Sequence, residues 1–316
     1  MAEQISEIVS VAPVRGALFL LFVDYEEGDA GNGTGQVYRT DASRAPDLVP
    51  ILNSNDALRR LWASPSGALW VASENGHVHT SAAVNWPAPN QPGLDIESLL
   101  PGMPFTSTTL PPPREAGGRP TLGTLWGTAD DDVHVAASGG LIYHWDGRSW
   151  RIAFAAAGEI RAFGGTGPTD VYAVGERGTL LHFDGRAWSP VAAPEGVSPS
   201  DTFTGCCATG DGSVLVSSMG GRVLQGTRSG WVVLGQDDRR QFLDVGVIGG
   251  RILLAARDQG CVELTPDGFV ELKSNFHASE IIPNAGVAYF LGASPVTAYI
   301  EYDPGNDELP WARISF

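Results

Sequence analysis

Cysteine is scarce in this sequence: Cys206, Cys207 and Cys261 are the three in 316 residues. An odd count with one adjacent pair does not make the disulfide framework of a small secreted domain, and no Cys-x-x-Cys spacing points to zinc. Long apolar runs are also missing. The stretch 17–23 is too short to cross a bilayer and runs straight into Asp24 and Glu26. The start, Met1-Ala2-Glu3-Gln4, lacks the basic region of a secretory signal, so we expect a cytoplasmic chain. Charged residues make up only 18 %, and the basic ones are the scarcer kind: 20 Lys+Arg stand against 36 Asp+Glu, a net charge of −16. A surface that negative repels phosphate backbones and anionic headgroups. It sets nucleic acid and membrane aside as partners and suits a basic protein partner.

Glycine and proline are plentiful, at 40 and 22 residues, and there are nine tryptophans. That mixture belongs to many short strands joined by tight turns. An internal repeat gives the strands an order. Residues 127–150 align without gaps on residues 165–188, a shift of 38. The identical pairs include Asp132/Asp170, Val133/Val171, Gly140/Gly178, His144/His182, Asp146/Asp184, Gly147/Gly185 and Trp150/Trp188. Each copy reads as a strand, a Gly hairpin, a returning strand, an Asp-Gly turn and a strand opened by Trp. One further strand precedes each copy, and four strands per roughly 40 residues describe a propeller blade.

Weaker copies extend both ways on the same strand-to-glycine spacing, at 69–76, 214–221 and 253–260. The expectation is an all-β fold: a single closed β-propeller over residues 1–316 with about seven four-stranded blades, six or eight remaining open. The blades fall at 5–52, 56–87, 121–154, 158–194, 200–236, 241–274 and 277–316. Residues 88–120 break the period. With Pro87 included, nine prolines occupy this stretch, which rules out a regular helix or a central strand. It reads as an insertion between blades, with Met103 and Phe105 as exposed apolar anchors, and deletion of residues 90–118 is expected to spare folding.

In the runs "DVYAVGERGTLLHFDGRAW" and "LWVASENGHVH" the chain resembles bacterial propeller repeats of the sialidase-like, YCF48-like and two-component-sensor types. The resemblance covers about two thirds of the chain and implies the fold, not the activity. Size, acidity and architecture also invite an analogy with propeller immunity proteins that neutralise secreted bacterial toxins.

Motifs for chemistry are few. No Gly-x-Ser-x-Gly, Gly-x-Gly-x-x-Gly or Walker-type loop occurs. His144 and His182 recur with the repeat, which assigns them to the blade's own hydrogen bonding. His77 and His79 share one strand face and could hold a metal, but no third ligand is near in sequence. We therefore expect no catalytic residue, no cofactor and no metal. Acidic turns remain at Asp130-Asp131 and Asp237-Asp238. Together with Met103 and Phe105 they form the expected partner surface. The reading is a non-catalytic, protein-binding propeller, monomeric apart from its basic partner, either an immunity or inhibitor protein or an assembly scaffold. The alternative is a propeller enzyme or small-ligand sensor with its site at the central channel.

Overall fold

A computed structural model describes residues 4–27, 33–41, 47–87, 96–113, 118–292 and 298–316. All its regular elements are strands, arranged in seven antiparallel sheets, and none of the described residues forms a helix long and apolar enough to cross a membrane. The fold is a seven-bladed β-propeller. The chain divides into two compact units at Ala155/Ala156, with blades 1–3 in the first and blades 4–7 in the second.

In the first unit, blade 1 is built from Gln4–Val14, Ala17–Glu26, Thr34–Asp41 and Val49–Ser54. Blade 2 is built from Leu58–Ala63, Leu69–Ser73, His77–Thr80 and Thr106–Thr109. Blade 3 runs from Leu122 to Ala155 in four consecutive strands. In the second unit, four-stranded blades follow in order over Ile160–Pro190, Phe203–Gln236, Asp244–Lys273 and Glu280–Ser315.

The repeat has a physical cause in each copy. In the Asp-Gly turns, Asp146 Oδ1 accepts from the Arg148 and Ser149 amides at 3.0 and 2.9 Å, and Asp184 Oδ1 does the same for Arg186 and Ala187 at 2.9 Å. Gly147 and Gly185 supply the positive φ of 81° and 89° that such a turn requires. Val133, Val171 and Val214, placed alike by the repeat, are all fully buried. The second strand of blades 2 and 5 is buried at every position, not on alternate ones, because neighbouring blades cover both faces. Five side-chain clusters fill the gaps between successive blades within each unit.

Close approach of first strands in the second unit depends on missing side chains. A Cβ on Gly164 would stand 2.6 Å from the Cys206 carbonyl oxygen, and one on Gly205 would stand 2.4 Å from Asp244 Oδ1. Asp244 in turn accepts the Ile281 amide of blade 7 at 3.0 Å.

The Pro-rich stretch corrects the reading of a free insertion. Residues 88–95 and 114–117 lie outside the described residues. The remainder supplies two strands. Ile96–Ser98 pairs with Val49–Ser54 as a fifth strand of blade 1, and Thr106–Thr109 is the fourth strand of blade 2. Both are edge strands, where one side needs no partner, so flanking prolines are tolerated. Phe105 is 7 % exposed and belongs to the cluster between blades 1 and 2, with Met103 packed half-buried against it.

The recurring Trp differs between copies. Trp188 is buried, with its ring 5.3 Å from Phe183 and 6.0 Å from Phe163, whereas Trp150 is half-buried beside Trp145. Trp188→Ala is expected to cost about 3–5 kcal/mol, the range for a buried aromatic, and Trp150→Ala less. Chemical denaturation of both variants checks the order; equal losses would mean the rim Trp works alike in both blades.

Candidate functional site

The four aspartates of the expected partner surface divide by whether the fold already uses them. Asp130 stands where the next repeat has Pro168, and it is drawn into the fold. Ser66 Oγ donates to its Oδ2 at 2.6 Å and Trp70 Nε1 to its Oδ1 at 3.0 Å, both from blade 2. Burial alone would raise its pKa, but these bonds, with one from Ser64, outweigh it and hold the carboxyl below its usual range. Asp130 is thus a clamp between blades 2 and 3. In the other unit, Asp237 accepts from Arg240 Nε at 3.0 Å and from the Arg239 amide at 3.1 Å. Asp238 is exposed and accepts from Gln236 Nε2 at 2.6 Å. Asp131 is exposed and has no hydrogen-bonded partner among the described residues. Met103 and Phe105 are brought together, but in the apolar filling between blades rather than on a surface.

The repeated histidines form a latch. His144 Nε2 lies 2.7 Å from Asp132 Oδ1, and His182 Nε2 lies 2.9 Å from Asp170 Oδ1. Thr128 and Thr166 donate to the other oxygen of the same carboxylates. The latch ties three strands of a blade together at one end. At the place where blade 4 has Tyr172, whose hydroxyl donates to Asp170 at 2.9 Å, blade 3 has His134. Burial would raise the Asp132 pKa, yet bonds from His134, His144 and Thr128 hold it far below the carboxylate range.

Asp132, His134 and His144 place three ligand-type atoms within 4.8 Å of one another, a set that zinc accepts. Two observations favour the latch over a metal. The His134 and His144 rings are stacked 4.4 Å apart and 6° from parallel, so no ion can lie in both ring planes at bonding distance. Arg151 Nη2 lies 3.2 Å from His144 Nδ1. A guanidinium only donates, so Nδ1 accepts and Nε2 carries the proton that goes to Asp132.

His77 and His79 are likewise occupied. His77 Nδ1 meets Thr109 Oγ1 at 2.9 Å and His79 Nδ1 meets Ser107 Oγ at 2.7 Å, both on the outer strand from the Pro-rich stretch. His79 is fully buried, its Nε2 has no partner, and burial, reinforced by nearby His77, pushes its pKa down to about 3. The thiols are quiet. Burial, then the charge of Asp244, pushes Cys207 up to about 12, and burial foremost raises Cys206 as well. An open recess of about 390 Å³ in the second unit is lined by His182, Asp184, Ser189 and Arg228 among others. Arg228 and Asp184 both line it, without an ion pair between them.

What the arrangement defines is a propeller whose buried polar clusters serve the blades. No protein-family model matches the chain, and no curated protein matches it in sequence. Solved structures do share the fold. Virginiamycin B lyase from Staphylococcus aureus aligns over 92 % of this chain and 96 % of its own at 9 % identity, TM-score 0.64. YCF48 bound to D1 peptide aligns over 96 % and 94 % at 15 % identity, TM-score 0.62. Sqt1 from Chaetomium thermophilum, bound to the N-terminus of the ribosomal protein L10, aligns over 94 % and 85 % at 15 % identity, TM-score 0.61. At such identities the likeness is one of fold.

Proposed function

We infer that this protein is a non-catalytic propeller that binds a segment of a basic protein. The observation that carries the reading is that two proteins of this fold were solved with polypeptide bound, YCF48 with the D1 peptide and Sqt1 with the N-terminus of the ribosomal protein L10. The net charge of −16 gives the partner its sign. The Asp–His latches support the same reading, because each is engaged in tying together the strands of its own blade. Of the expected surface residues, Asp131 keeps an exposed carboxylate for a partner, while Asp130 and Asp237 are spent on internal bonds. The toxin-immunity analogy has no counterpart among the structures named above.

Virginiamycin B lyase on the same fold motivates a second reading, an enzyme or small-ligand sensor. Affinity capture from the native cell, followed by surface plasmon resonance with the captured protein, separates the two. The expected result is a basic partner whose association slows as salt rises and slows again in Asp131→Lys, with dissociation little changed. Native mass spectrometry that finds a tightly held small molecule, with no protein captured, would transfer the assignment to the second reading.

A further inference from the structure

We propose that the outer edge of blade 5 is a self-association surface on which a second copy of this chain pairs antiparallel, about a two-fold axis near Val233. An outer strand presents unpaired backbone groups, and soluble proteins blunt such edges with charge, proline, short length or a cover. Six of the seven outer strands here carry one of those devices. Val49–Ser54 contains Pro50 and is covered by Ile96–Ser98. Thr106–Thr109 is four residues of hydroxyl side chains. Trp150–Ala155 contains Arg151, and Trp188–Pro190 is three residues ending in proline. Gly268–Lys273 contains Glu271 and Lys273, and Trp311–Ser315 contains Arg313.

Blade 5 departs from this rule. Its outer strand, Gly230–Gln236, reads Gly-Trp-Val-Val-Leu-Gly-Gln, seven residues with no charge and no proline. Trp231 is buried, but Val232, Val233 and Leu234 are 57 %, 38 % and 39 % exposed, three consecutive large apolar side chains in water. The register shift that leaves Leu234 without a cross-strand partner has counterparts in the outer strands of blades 3 and 6, so it does not set this edge apart.

The flanking charges identify the occupant. Antiparallel pairing of the strand with itself, centred on Val233, sets Val232 against Leu234 of the second copy. It also brings the hairpin turn that carries Arg228 beside the second copy's turn that carries Asp238, since these turns flank the strand at its two ends, each residue five positions from the centre. Both side chains are exposed, just beyond the two ends of the strand. Asp238 receives one hydrogen bond, from Gln236, and the Arg228 guanidinium faces no carboxylate partner among the described residues. A two-fold axis makes the pair twice, once at each end of the contact. The apolar centre with opposite charges at its ends is therefore complementary to itself. The surface departs from the monomer expected from the sequence, and it assigns Asp238 to self-pairing while leaving Asp131 to the partner.

Sedimentation equilibrium on the full chain tests this, with charge reversal at both positions. The wild type is expected to sediment as a monomer–dimer equilibrium. Arg228→Asp and Asp238→Arg, each of which puts like charges together twice, are each expected to weaken self-association by at least about tenfold. Mixing the two single variants restores both opposite-charge pairs, so a heterodimer of near wild-type affinity is expected from two chains that repel their own kind. Val232→Lys is expected to abolish the dimer while each variant keeps the wild-type melt. A wild-type chain that stays monomeric at high micromolar concentration overturns the proposal, even if the edge is later found covered by another protein. So does a dimer that ignores all three substitutions.

Discussion

Removal of residues 90–118 is expected to abolish the cooperative melt of this protein. The deletion takes away the outer strand of blade 2 and, with it, Phe105 from the cluster between blades 1 and 2. Loss of a buried Phe side chain costs about 3–5 kcal/mol. Two further losses fall on buried polar groups. His77 and His79 lose the Thr109 and Ser107 hydroxyls that meet their Nδ1 atoms, at roughly 1–3 kcal/mol for each group left unsatisfied. Tyr143 loses the Pro111 carbonyl to which its hydroxyl donates at 2.8 Å, and the outer edge of blade 1 loses its covering strand. Together these approach the whole stability of an ordinary domain, about 5–15 kcal/mol. Differential scanning calorimetry with near-UV circular dichroism checks it. A deletion variant that melts like the wild type would mean that blades 1 and 2 hold without the segment.

That expectation reverses the one drawn from the sequence, and the reversal shows where sequence reading stops. The blades were legible because each repeats a local pattern: Asp-Gly turns, a hairpin glycine at fixed spacing, and a valine-rich second strand. Those signals act over a few residues and need no knowledge of neighbours. Thr106–Thr109 carries none of them. Its four hydroxyl residues sit among prolines, and it becomes a strand only because blade 2 presents an open edge with two histidines in register. Phe105 looked exposed for the same reason: the groove that buries it is made by strands more than thirty residues earlier in the chain.

The acidic turns divide along the same line. Asp131 is exposed, as a run of three aspartates in a turn leads one to expect, since nothing distant competes for it. Asp130 is claimed by Trp70, sixty positions away, and no local pattern contains that bond. A departure from the repeat was the available signal, because Asp130 replaces the proline that blade 4 carries at the same place. The uncharged outer strand of blade 5 was visible in the same way, as a seven-residue run lacking the charge or proline of its counterparts. Its meaning depended on knowing that the strand lies at an edge.

The buried histidines give the protein a direct sensitivity to acid. His79 is neutral in the fold, with its pKa pushed down to about 3 by burial first and by His77 second, whereas in the unfolded chain an imidazole titrates near 6.5. The unfolded state therefore binds a proton that the folded state refuses throughout that interval. His79 contributes nothing to the pH dependence above about 6.5, and stability falls as the pH drops below it, by roughly 1.4 kcal/mol for each pH unit. By pH 4.5 the loss from this one residue is roughly 3 kcal/mol, and it levels off near pH 3. His77 and His134 shift in the same direction, burial being the largest cause for each, and steepen the fall. The carboxylates whose pKa values are held down, such as Asp132 and Asp170, add their own losses only in stronger acid. Urea denaturation at a series of pH values measures the slope. His79→Phe removes the proton linkage without emptying the space, so the variant is expected to lose less stability than the wild type between pH 7 and 4.5, by roughly 3 kcal/mol. Parallel curves for the two proteins would mean that His79 takes up its proton without leaving the fold, and that blade 2 admits water where the structure shows it closed.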